Sequence, residues 1–477
     1  MLNMQKFNHF EKQLNLLEQQ VRGFHYWGYL RFDIYRIITK AEDGIKNDGS
    51  VERYKFGNIF KFIVRSIFLN PTHKVKGKDV LFLANSKRVY NGLNYECIFT
   101  DEIAKEFRKN SYSAGLPTSE SLEQMLPNES DNFLFLDYII FWGQIWKIFH
   151  KEKYSKESKE FNQIAKKLSL EIKENFSIEI EEDYIYKKMM NTYMDYVIRR
   201  EMVRRLLEKI NPKVIVEMDG YSHSRMVFNE IAKELNIVTI ELQHGILGKG
   251  HPAYNYPKKK QYDFVPDKIF LFSKYWKDAC DFPQYEENII VTGFPYMDRS
   301  KKKYLDIKKE ENDLSIIVIS QPIFSEKLLP HIVKLIELFE ESEVNYNLIY
   351  KLHPKESLDE ESESWIKLKR NKRVEIVNNS QKHVHFYLSK CDIQIGMHST
   401  VIFEGLTFGL RTFIYRMPST VKMMTDIVDK GYARMFNDAS SLFQMIMKEE
   451  VEKKCCEDFF IDGGKERIVE EIKKILR

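Results

Sequence analysis

The sequence predicts an α/β protein in which two doubly wound parallel sheets face each other across a cleft, with a helical extension at the N-terminus. Three observations support this prediction. From residue 267 onward, short apolar segments alternate with helical patterns, which is typical of a parallel sheet. A strand–helix–strand unit occupies Val214–Gly250. Residues 1–70 are rich in aromatic side chains and have a helical period instead.

The composition is that of a globular protein without unusual charge. The chain has 477 residues, 43% hydrophobic and 30% charged, which suffices for two or more domains. Its 74 basic and 70 acidic residues nearly balance, so we expect no nucleic-acid partner. The five cysteines lack metal-ligand spacing and indicate reduced thiols in a cytoplasmic protein.

No segment is predicted to cross a membrane. The N-terminus lacks the pattern of a secretory signal. The longest apolar run, Phe133–Phe149, is shorter than the roughly 20 residues that a bilayer requires, and it predicts a buried strand followed by a helix. We expect a cytoplasmic location, with the inner face of the plasma membrane as the alternative.

The N-terminal extension, residues 1–70, contains a predicted amphipathic helix that can be interpreted in two ways. Residues 56–69 place an apolar stripe on one face, with Lys61 and Arg65 off it. Packing on its own domain is the default for such a helix. The alternative is a basic amphipathic helix on an anionic membrane, and any peripheral membrane contact is expected from residues 56–69.

The first α/β domain is predicted over residues 71–258, with helical insertions. A strand at Val80–Leu83 leads into a polar loop, residues 110–132 are predicted to be an exposed loop, and residues 151–212 are charged helices. In the central unit, one strand ends at Glu217-Met218-Asp219-Gly220 and the next at Gln243-His244-Gly245. Both loops leave the carboxyl ends of parallel strands, the edge where such folds bind ligands.

The second domain is predicted over residues 259–463. Its border is expected within His251–Pro266, which holds three prolines and three consecutive lysines, and the charged stretch 299–312 is placed inside the domain. A last helix, residues 464–477, is expected to cross back to the first domain. Strands are predicted at 268–272, 288–291, 315–319, 347–352, 374–377, 392–395 and 412–415.

Several familiar signatures are missing from the sequence. Neither half carries Gly-x-Gly-x-x-Gly after its first strand or a Walker-type Gly-Lys-Ser/Thr, which weighs against dehydrogenases and P-loop enzymes. There is no Asp-x-Asp and no metal-ligand spacing, so we expect neither a metal nor a cofactor.

Two loops of the first domain carry candidate catalytic side chains. Asp219, beside a glycine at a strand end, could act as general base on a hydroxyl, although a turn-forming Asp-Gly pair is equally common. His244 and Lys249 could meet a phosphate or a developing charge, and the alternative for His244 is a structural role.

Two loops of the second domain are candidates for binding phosphate. His353 stands at a strand end, where Pro354 stops the strand. His398, Ser399 and Thr400 form a strand-to-helix turn that suits an anion, or they simply cap the helix. Glu404 lies one turn inside that helix, placed to hold a ribose hydroxyl.

With these four loops in order, the chain resembles the GT-B glycosyltransferases of bacterial capsule and surface-polysaccharide synthesis. This broad group includes CDP-glycerol glycerophosphotransferases, capsule Kdo transferases and polysialyltransferases. Their histidine-glycine loop, His-Pro strand end and Ser/Thr-rich turn look like Gln243-His244-Gly245, Lys351-Leu352-His353-Pro354 and Met397-His398-Ser399-Thr400. The polysialyltransferases add an acidic-acidic-glycine motif whose acid is the base, and Met218 interrupts it here, which favours Asp219 over Glu217.

The resemblance implies a GT-B fold of two Rossmann-like domains and a metal-independent transfer of a sugar or polyol phosphate, with inversion expected and retention as the alternative. The donor would be nucleotide-activated, bound by His353, Pro354, His398, Ser399, Thr400 and Glu404. A glycan or lipid-linked glycan acceptor would bind at Asn85, Lys87, Arg88 and Lys249. Asp219 would be the base, and His353 and His244 would stabilise charge. Capsule or lipopolysaccharide is the expected product. The alternatives are a sugar-nucleotide epimerase of the same fold and a non-catalytic scaffold of the polysaccharide assembly machinery.

Overall fold

The computed structural model shows two parallel sheets, each with helices on both faces. It describes residues 4–42, 63–84, 88–90, 95–115, 132–150, 154–305, 307, 314–322, 325–353, 356, 362–378, 382–448 and 457–477. The two doubly wound parallel sheets that the sequence predicts are therefore present among these residues. No helix within these ranges is both long and apolar enough to cross a bilayer.

The first sheet has seven strands in the order β5-β4-β1-β6-β7-β8-β9, and all of its pairings are parallel. Its strands are β1 (Val80–Leu83), β4 (Ser111–Gly115), β5 (Phe133–Phe135), β6 (Val214–Glu217), β7 (Val238–Leu242), β8 (Lys268–Leu271) and β9 (Ile289–Val291). A small antiparallel hairpin, β2 (Val89–Tyr90) and β3 (Tyr95–Glu96), follows β1.

The second sheet has six parallel strands in the order β12-β11-β10-β13-β14-β15. They are β10 (Leu314–Ile319), β11 (Tyr346–Lys351), β12 (Val374–Val377), β13 (Ile393–Gly396), β14 (Arg411–Tyr415) and β15 (Arg434–Phe436). The switch from β12 to β13 brings the carboxyl ends of β10, β11 and β13 together at one edge, as is usual for ligand sites in open sheets.

The helices pack on both faces of the sheets. Those of the first domain are α1 (Met4–Gln13), α2 (Tyr26–Glu42), α3 (63–68), α4 (Asp101–Glu106), α5 (Asp137–His150), α6 (Ser155–Phe176), α7 (Glu182–Ile210), α8 (His223–Glu234), α9 (Lys274–Asp278) and α10 (Pro295–Tyr304). The later ones are α11 (Ser325–Glu341), α12 (Glu363–Arg370), α13 (Val384–Lys390), α14 (Thr400–Thr407), α15 (Pro418–Asp429), α16 (Ala439–Met447) and α17 (Gly464–Leu476).

The predicted domain border within residues 251–266 is wrong. β8 pairs with β7, and β9 pairs with β8, so both strands belong to the first sheet. The proline- and lysine-rich segment is a connection inside the first domain, held by buried Arg31, which donates to the carbonyl of Asn255. The border lies between β9 and β10, a region that includes the charged stretch 299–312. Loop composition marks a surface connection, whereas strand pairing decides the domain.

The N-terminal segment is part of the first domain's core rather than a separate extension. Phe7, Phe24 and Trp27 are fully buried, and the ring of Phe24 lies 5.5 Å from that of Tyr193 in α7. Burial of such aromatic side chains contributes about 1.5–3 kcal/mol each. This segment therefore has a fixed position relative to the sheet.

Helix α3 is described only over residues 63–68, so most of the predicted stripe, residues 56–62, lies outside the described residues. In the described part, Arg65 is buried and its Nε donates to Asp137 at 3.0 Å, whereas the apolar side chain of Phe68 is 71% exposed. The predicted orientation, with the apolar residues buried and Arg65 outside, is wrong here because the ion pair takes Arg65 inward. Contact with a membrane stays a prediction.

Two further segments bear on the sequence analysis. The exposed loop predicted over residues 110–132 is wrong at Ser111–Gly115, which is a buried strand beside β1. Its small side chains give little apolar signal in the sequence. At the other end of the chain, α17 packs Ile468 and Ile472 against Val80 and Val214 of the first sheet.

Candidate functional site

An aspartate and a histidine from neighbouring strand ends form an ion pair at the carboxyl edge of the first sheet. Asp219 stands two residues after β6, in the left-handed backbone conformation (φ 57°), and His244 stands two residues after β7. The Nε2 atom of His244 lies 2.7 Å from Oδ1 of Asp219. A parallel strand–helix–strand unit places consecutive strand ends side by side, which is why these two residues meet.

The imidazole of His244 is held from both sides. Its Nδ1 atom lies 3.4 Å from the backbone nitrogen of Asp219 and 3.9 Å from Oε1 of Glu241. The hydroxyl of Tyr221 is 3.5 Å from Nε2. Both ring nitrogens thus face protein groups, and the side chain of His244 is 15% exposed against 38% for Asp219. Asp219 is the member of the pair that a ligand can reach.

The pKa of His244 is raised above its ordinary value. Burial by itself lowers this pKa, but the hydrogen bond and charge of Asp219, together with the charge of Glu241, outweigh burial. His244 therefore holds its proton to higher pH than a free histidine does. The contact from Nε2 of the ring fixes the orientation of the Asp219 carboxylate.

Two buried carboxyl groups lie beneath the pair. Glu217 and Glu241 are register partners on β6 and β7, and both are almost fully buried. Glu241 Oε1 accepts hydrogen bonds from the Gly220 amide at 3.2 Å and the Tyr254 hydroxyl at 2.6 Å. Burial raises the pKa of Glu217 to about 8 and also raises that of Glu241. Glu217 is too deep to contact a substrate, which agrees with the choice of Asp219.

Gly220 is required by close packing. A Cβ atom at this position would lie 2.7 Å from Glu241 Oε2 and 2.7 Å from Cγ of Pro266. No side chain fits there without displacing the loop that carries Asp219. The Asp-Gly pair thus serves the packing of the candidate catalytic loop against Glu241.

In the second domain, hydrogen bonds join three strand-end loops. Glu356 accepts from the Ser320 hydroxyl and from the His353 amide, each at 2.6 Å. Gln321 Nε2 donates to the carbonyl of His398 at 2.8 Å. The loops that follow β10, β11 and β13 are therefore tied together, with His353 and His398 at the same edge. Pro354 lies outside the described residues.

The turn before α14 shows the capping interaction, and its binding of an anion stays a prediction. The hydroxyl of Ser399 accepts from the Val401 amide at 3.3 Å, so Ser399 caps the helix as the alternative reading proposed. Thr400 is the first residue of α14. Burial lowers the pKa of His398 to about 4, which leaves its ring neutral near pH 7. His398 would thus act as a hydrogen-bonding group, not as a cation.

Glu404 has a partner that the sequence analysis did not single out. Its Oε2 atom lies 2.8 Å from Nε2 of His385, which is fully buried at the start of α13. His383 stands two residues earlier and bonds through Nε2 to the hydroxyl of Tyr296 in α10. His385 thus holds the carboxylate of Glu404 in place. A His-x-His sequence at a helix start was the available signal.

The loops of the two domains approach each other at glycines. A Cβ atom on Gly245 would lie 3.8 Å from Oγ1 of Thr400, and one on Gly250 would lie 3.0 Å from the carbonyl oxygen of Lys422 in α15. The His244 loop thus faces the strand-to-helix turn of the second domain across the cleft. At Gly250 the absence of a side chain allows this close approach, whereas a Cβ atom at Gly245 would make only ordinary van der Waals contact.

Two of the predicted acceptor residues, Arg88 and Lys249, are among the described residues. Arg88 is bound to Asp101 at 2.6 Å, with only 2% of its side chain exposed, so its assignment to an open mouth of the cleft is wrong. The ion pair with the neighbouring helix α4 holds it. Asn85 and Lys87 lie outside the described residues, and Lys249 is exposed on the loop beyond Gly248.

Comparison with known proteins shows the fold. No protein-family model matches the chain, and no curated protein matches its sequence. Solved structures do match it along most of its length. The UDP-GlcNAc 2-epimerase of Methanocaldococcus jannaschii is 14% identical, with a TM-score of 0.52, covering 83% of this chain and 99% of its own. A putative UDP-N-acetylglucosamine 2-epimerase from Listeria monocytogenes is 11% identical, with a TM-score of 0.53, covering 84% and 97%.

The fold is GT-B-like. A third match, the MnaA protein of S. aureus in complex with UDP, is 11% identical with a TM-score of 0.50 and covers 84% of this chain and 97% of its own. The predicted two-domain GT-B architecture is confirmed by these matches. At such low identity the likeness reaches the fold alone.

Proposed function

We propose that this protein is a glycosyltransferase that moves a sugar, or a polyol phosphate, from a nucleotide-activated donor to a glycan acceptor of a bacterial surface polysaccharide. The observation that carries the proposal is the Asp219–His244 pair, whose loop faces Thr400 of the second domain across the cleft. A partly exposed carboxylate on one wall and a candidate phosphate site on the other suit transfer between two substrates.

In the proposed reaction, Asp219 takes the proton of the acceptor hydroxyl as that oxygen attacks the anomeric carbon of the donor. The bond from this carbon to the nucleotide phosphate breaks, and its electron pair leaves with the phosphate. His244 keeps the carboxylate of Asp219 oriented. Because one base acts on the side opposite to the leaving group, a direct displacement with inversion follows.

The donor would lie at the joined loops of the second domain. The amide groups at the start of α14, near Thr400, offer positive partial charge to a phosphate, and His353 can donate a hydrogen bond to it. Glu404, held by His385, would accept from a ribose hydroxyl. The leaving phosphate is met by these groups in the proposal, so no metal ion is assigned a role.

A sugar-nucleotide epimerase is the second candidate, because solved structures named as such match the chain along nearly all of their own length. In that reaction Asp219 would act on a proton of the donor sugar, and no acceptor would be needed. The requirement for an acceptor is therefore the property that separates the two functions.

The test uses purified protein and a panel of radiolabelled UDP-, CMP-, CDP- and GDP-activated donors, with and without bacterial surface glycans. We expect label to enter the glycan only when both substrates are present, and to be lost in Asp219→Asn and His353→Ala at unchanged melting temperature. Conversion of the donor to its epimer without acceptor would replace the proposal by the epimerase. Binding of assembly proteins without consumption of any donor would favour the scaffold.

A further inference from the structure

Helix α2 of the N-terminal segment borders the cleft beside the Asp219–His244 pair. The ring of Phe32 stacks on that of Tyr221, with centroids 4.9 Å apart and planes 28° apart, and lies 5.8 Å from the ring of His251. Tyr221 stands two residues after Asp219 and approaches His244 through its hydroxyl. Phe32 is therefore part of the surroundings of the candidate base.

The other end of α2 reaches the second domain. Glu42, the last residue of the helix, forms an ion pair with Lys422 of α15, and the two helices are in contact. Ten residues separate Phe32 from Glu42, which corresponds to about 15 Å along a helix. Helix α2 therefore runs from the candidate base to the domain that would hold the donor, along one wall of the cleft.

The face of α2 between these ends is basic. Arg36 and Lys40 follow Phe32 at intervals of four residues and so share its face of the helix. Arg36 is exposed and Lys40 is half-buried. The nearby acid Asp33 is paired with Lys188 of α7 at 2.7 Å, and Glu42 is paired with Lys422. Because Asp33 and Glu42 pair with these lysines of other helices, neither acid neutralises the positive charge of Arg36 and Lys40.

The helix is firmly anchored next to this face. Arg31, beside Phe32 in sequence, is buried and bound to Glu11 through Nε at 2.8 Å and Nη2 at 2.9 Å. Its Nη2 also donates to the carbonyl of Asn255 at 3.1 Å, and its guanidinium carbon lies 4.1 Å from the centre of the Tyr256 ring. The position of α2 is thus set before any ligand arrives, which favours binding because little ordering remains to be done.

We propose that Phe32, Arg36 and Lys40 form the acceptor subsite, and that it takes a glycan bearing carboxylate or phosphate groups. Phe32 packs on the sugar ring that presents its hydroxyl to Asp219, and the two cations pair with anionic groups farther along the chain. This inference rests on the proposed transferase function and specifies its acceptor. It also explains why an N-terminal helical segment is built into the wall of the cleft.

The test measures binding first, so that it does not depend on turnover. The probes are oligogalacturonate, which carries carboxylates, an oligomer of glycerol phosphate, which carries phosphates, and neutral maltohexaose. The variants are Arg36→Ala/Lys40→Ala and Phe32→Leu, with Lys166→Ala, an exposed lysine of α6, as the matched control. Melting temperatures establish that each variant is folded.

We expect wild type and Lys166→Ala to bind one anionic probe in preference to maltohexaose, and the double variant to bind it about tenfold more weakly, since each exposed pair contributes modestly. The preferred probe tells carboxylate from phosphate. Equal binding by wild type and the double variant, or no preference for an anionic probe, would overturn the inference.

With an active donor–acceptor pair, the double variant is further expected to raise the KM for acceptor while the stabilisation by nucleotide is unchanged. A wild type that binds the anionic probe through α2 but transfers nothing would refute the proposed function and leave the subsite standing. Equal transfer of sugar by the wild type and the Arg36→Ala/Lys40→Ala variant would refute the subsite alone.

Discussion

Replacing Glu241 by glutamine tests how the first domain sets the charge of its candidate catalytic pair. Glu241→Gln keeps the shape of the side chain and its ability to accept from Gly220 and Tyr254. It removes a carboxyl group 3.9 Å from Nδ1 of His244. The charge of Glu241 helps to raise the pKa of His244, so we expect the variant to lower that pKa.

The size of the effect follows from Coulomb's law. At 3.9 Å and an effective dielectric constant of about 20, two unit charges interact by about 4 kcal/mol, equivalent to about three pH units. Burial raises the pKa of Glu241 itself, so at a given pH the carboxyl group is charged to a smaller extent than a free glutamate. We therefore expect the pKa of His244 to decrease, by less than the full Coulomb interaction would give.

The assay is the pH dependence of kcat/KM for transfer, supported by NMR titration of the histidine ring assigned with a His244→Gln variant. If protonated His244 is needed, the alkaline limb of the profile moves to lower pH in Glu241→Gln. The matched control is Glu217→Gln on the neighbouring strand, which imitates the protonated form that Glu217 adopts below pH 8. An alkaline limb that stays in place, or moves equally in both variants, would refute the reasoning.

Three further predictions concern stability. Burial raises the pKa of Glu217 to about 8 in the folded protein, whereas its pKa in the unfolded chain is about 4.3. The contribution of Glu217 to stability is therefore fully present below about pH 4.3 and is lost as the pH rises toward 8, at about 1.4 kcal/mol per pH unit. Glu217→Gln should remove this pH dependence, as measured by urea unfolding from pH 5 to 8. Gly220→Ala should lower the unfolding free energy by about 1–3 kcal/mol, since its Cβ would meet Glu241 at 2.7 Å; unchanged stability would contradict the observed packing. Glu11→Gln should lower the unfolding free energy by about 3–5 kcal/mol because it leaves the buried guanidinium group of Arg31 without its carboxylate partner. A decrease of less than about 1 kcal/mol, measured by unfolding in guanidinium chloride, would contradict this prediction.

The sequence was sufficient for the central part of the fold and for the two sides of the candidate site. Short apolar strands ending in polar, glycine-containing loops identified β6 and β7, and parallel topology then requires their ends to be neighbours. The ion pair between Asp219 and His244 is a direct consequence of that rule. The same pattern located His353 and His398 at the ends of β11 and β13.

Other features depend on contacts that no local pattern encodes. The assignment of β8 and β9 to the first sheet is decided by hydrogen bonding with β7, not by the composition of the loop before them. Arg88 looked available in a polar loop, but Asp101 binds it. Phe32 reaches the candidate site only because α2 folds back onto Tyr221, far along the chain.

Glu241 was within reach of sequence reasoning and was overlooked. It is the only charged residue of β7, a strand whose other side chains are apolar apart from one threonine. A lone carboxylate inside a buried strand needs a compensating partner, and here the partners include the Gly220 amide, the Tyr254 hydroxyl and the nearby His244. Such a residue is a useful pointer to a site at the strand end that follows it.

The central claim, that Asp219 activates an acceptor hydroxyl, is tested most directly by the rate of acceptor-dependent transfer in Asp219→Asn. The exchange removes the base and leaves the size of the side chain unchanged. We predict a loss of about 100-fold to 10,000-fold in kcat, while the melting temperature and its increase on nucleotide binding stay those of the wild type. Transfer within a fewfold of the wild-type rate would contradict the account.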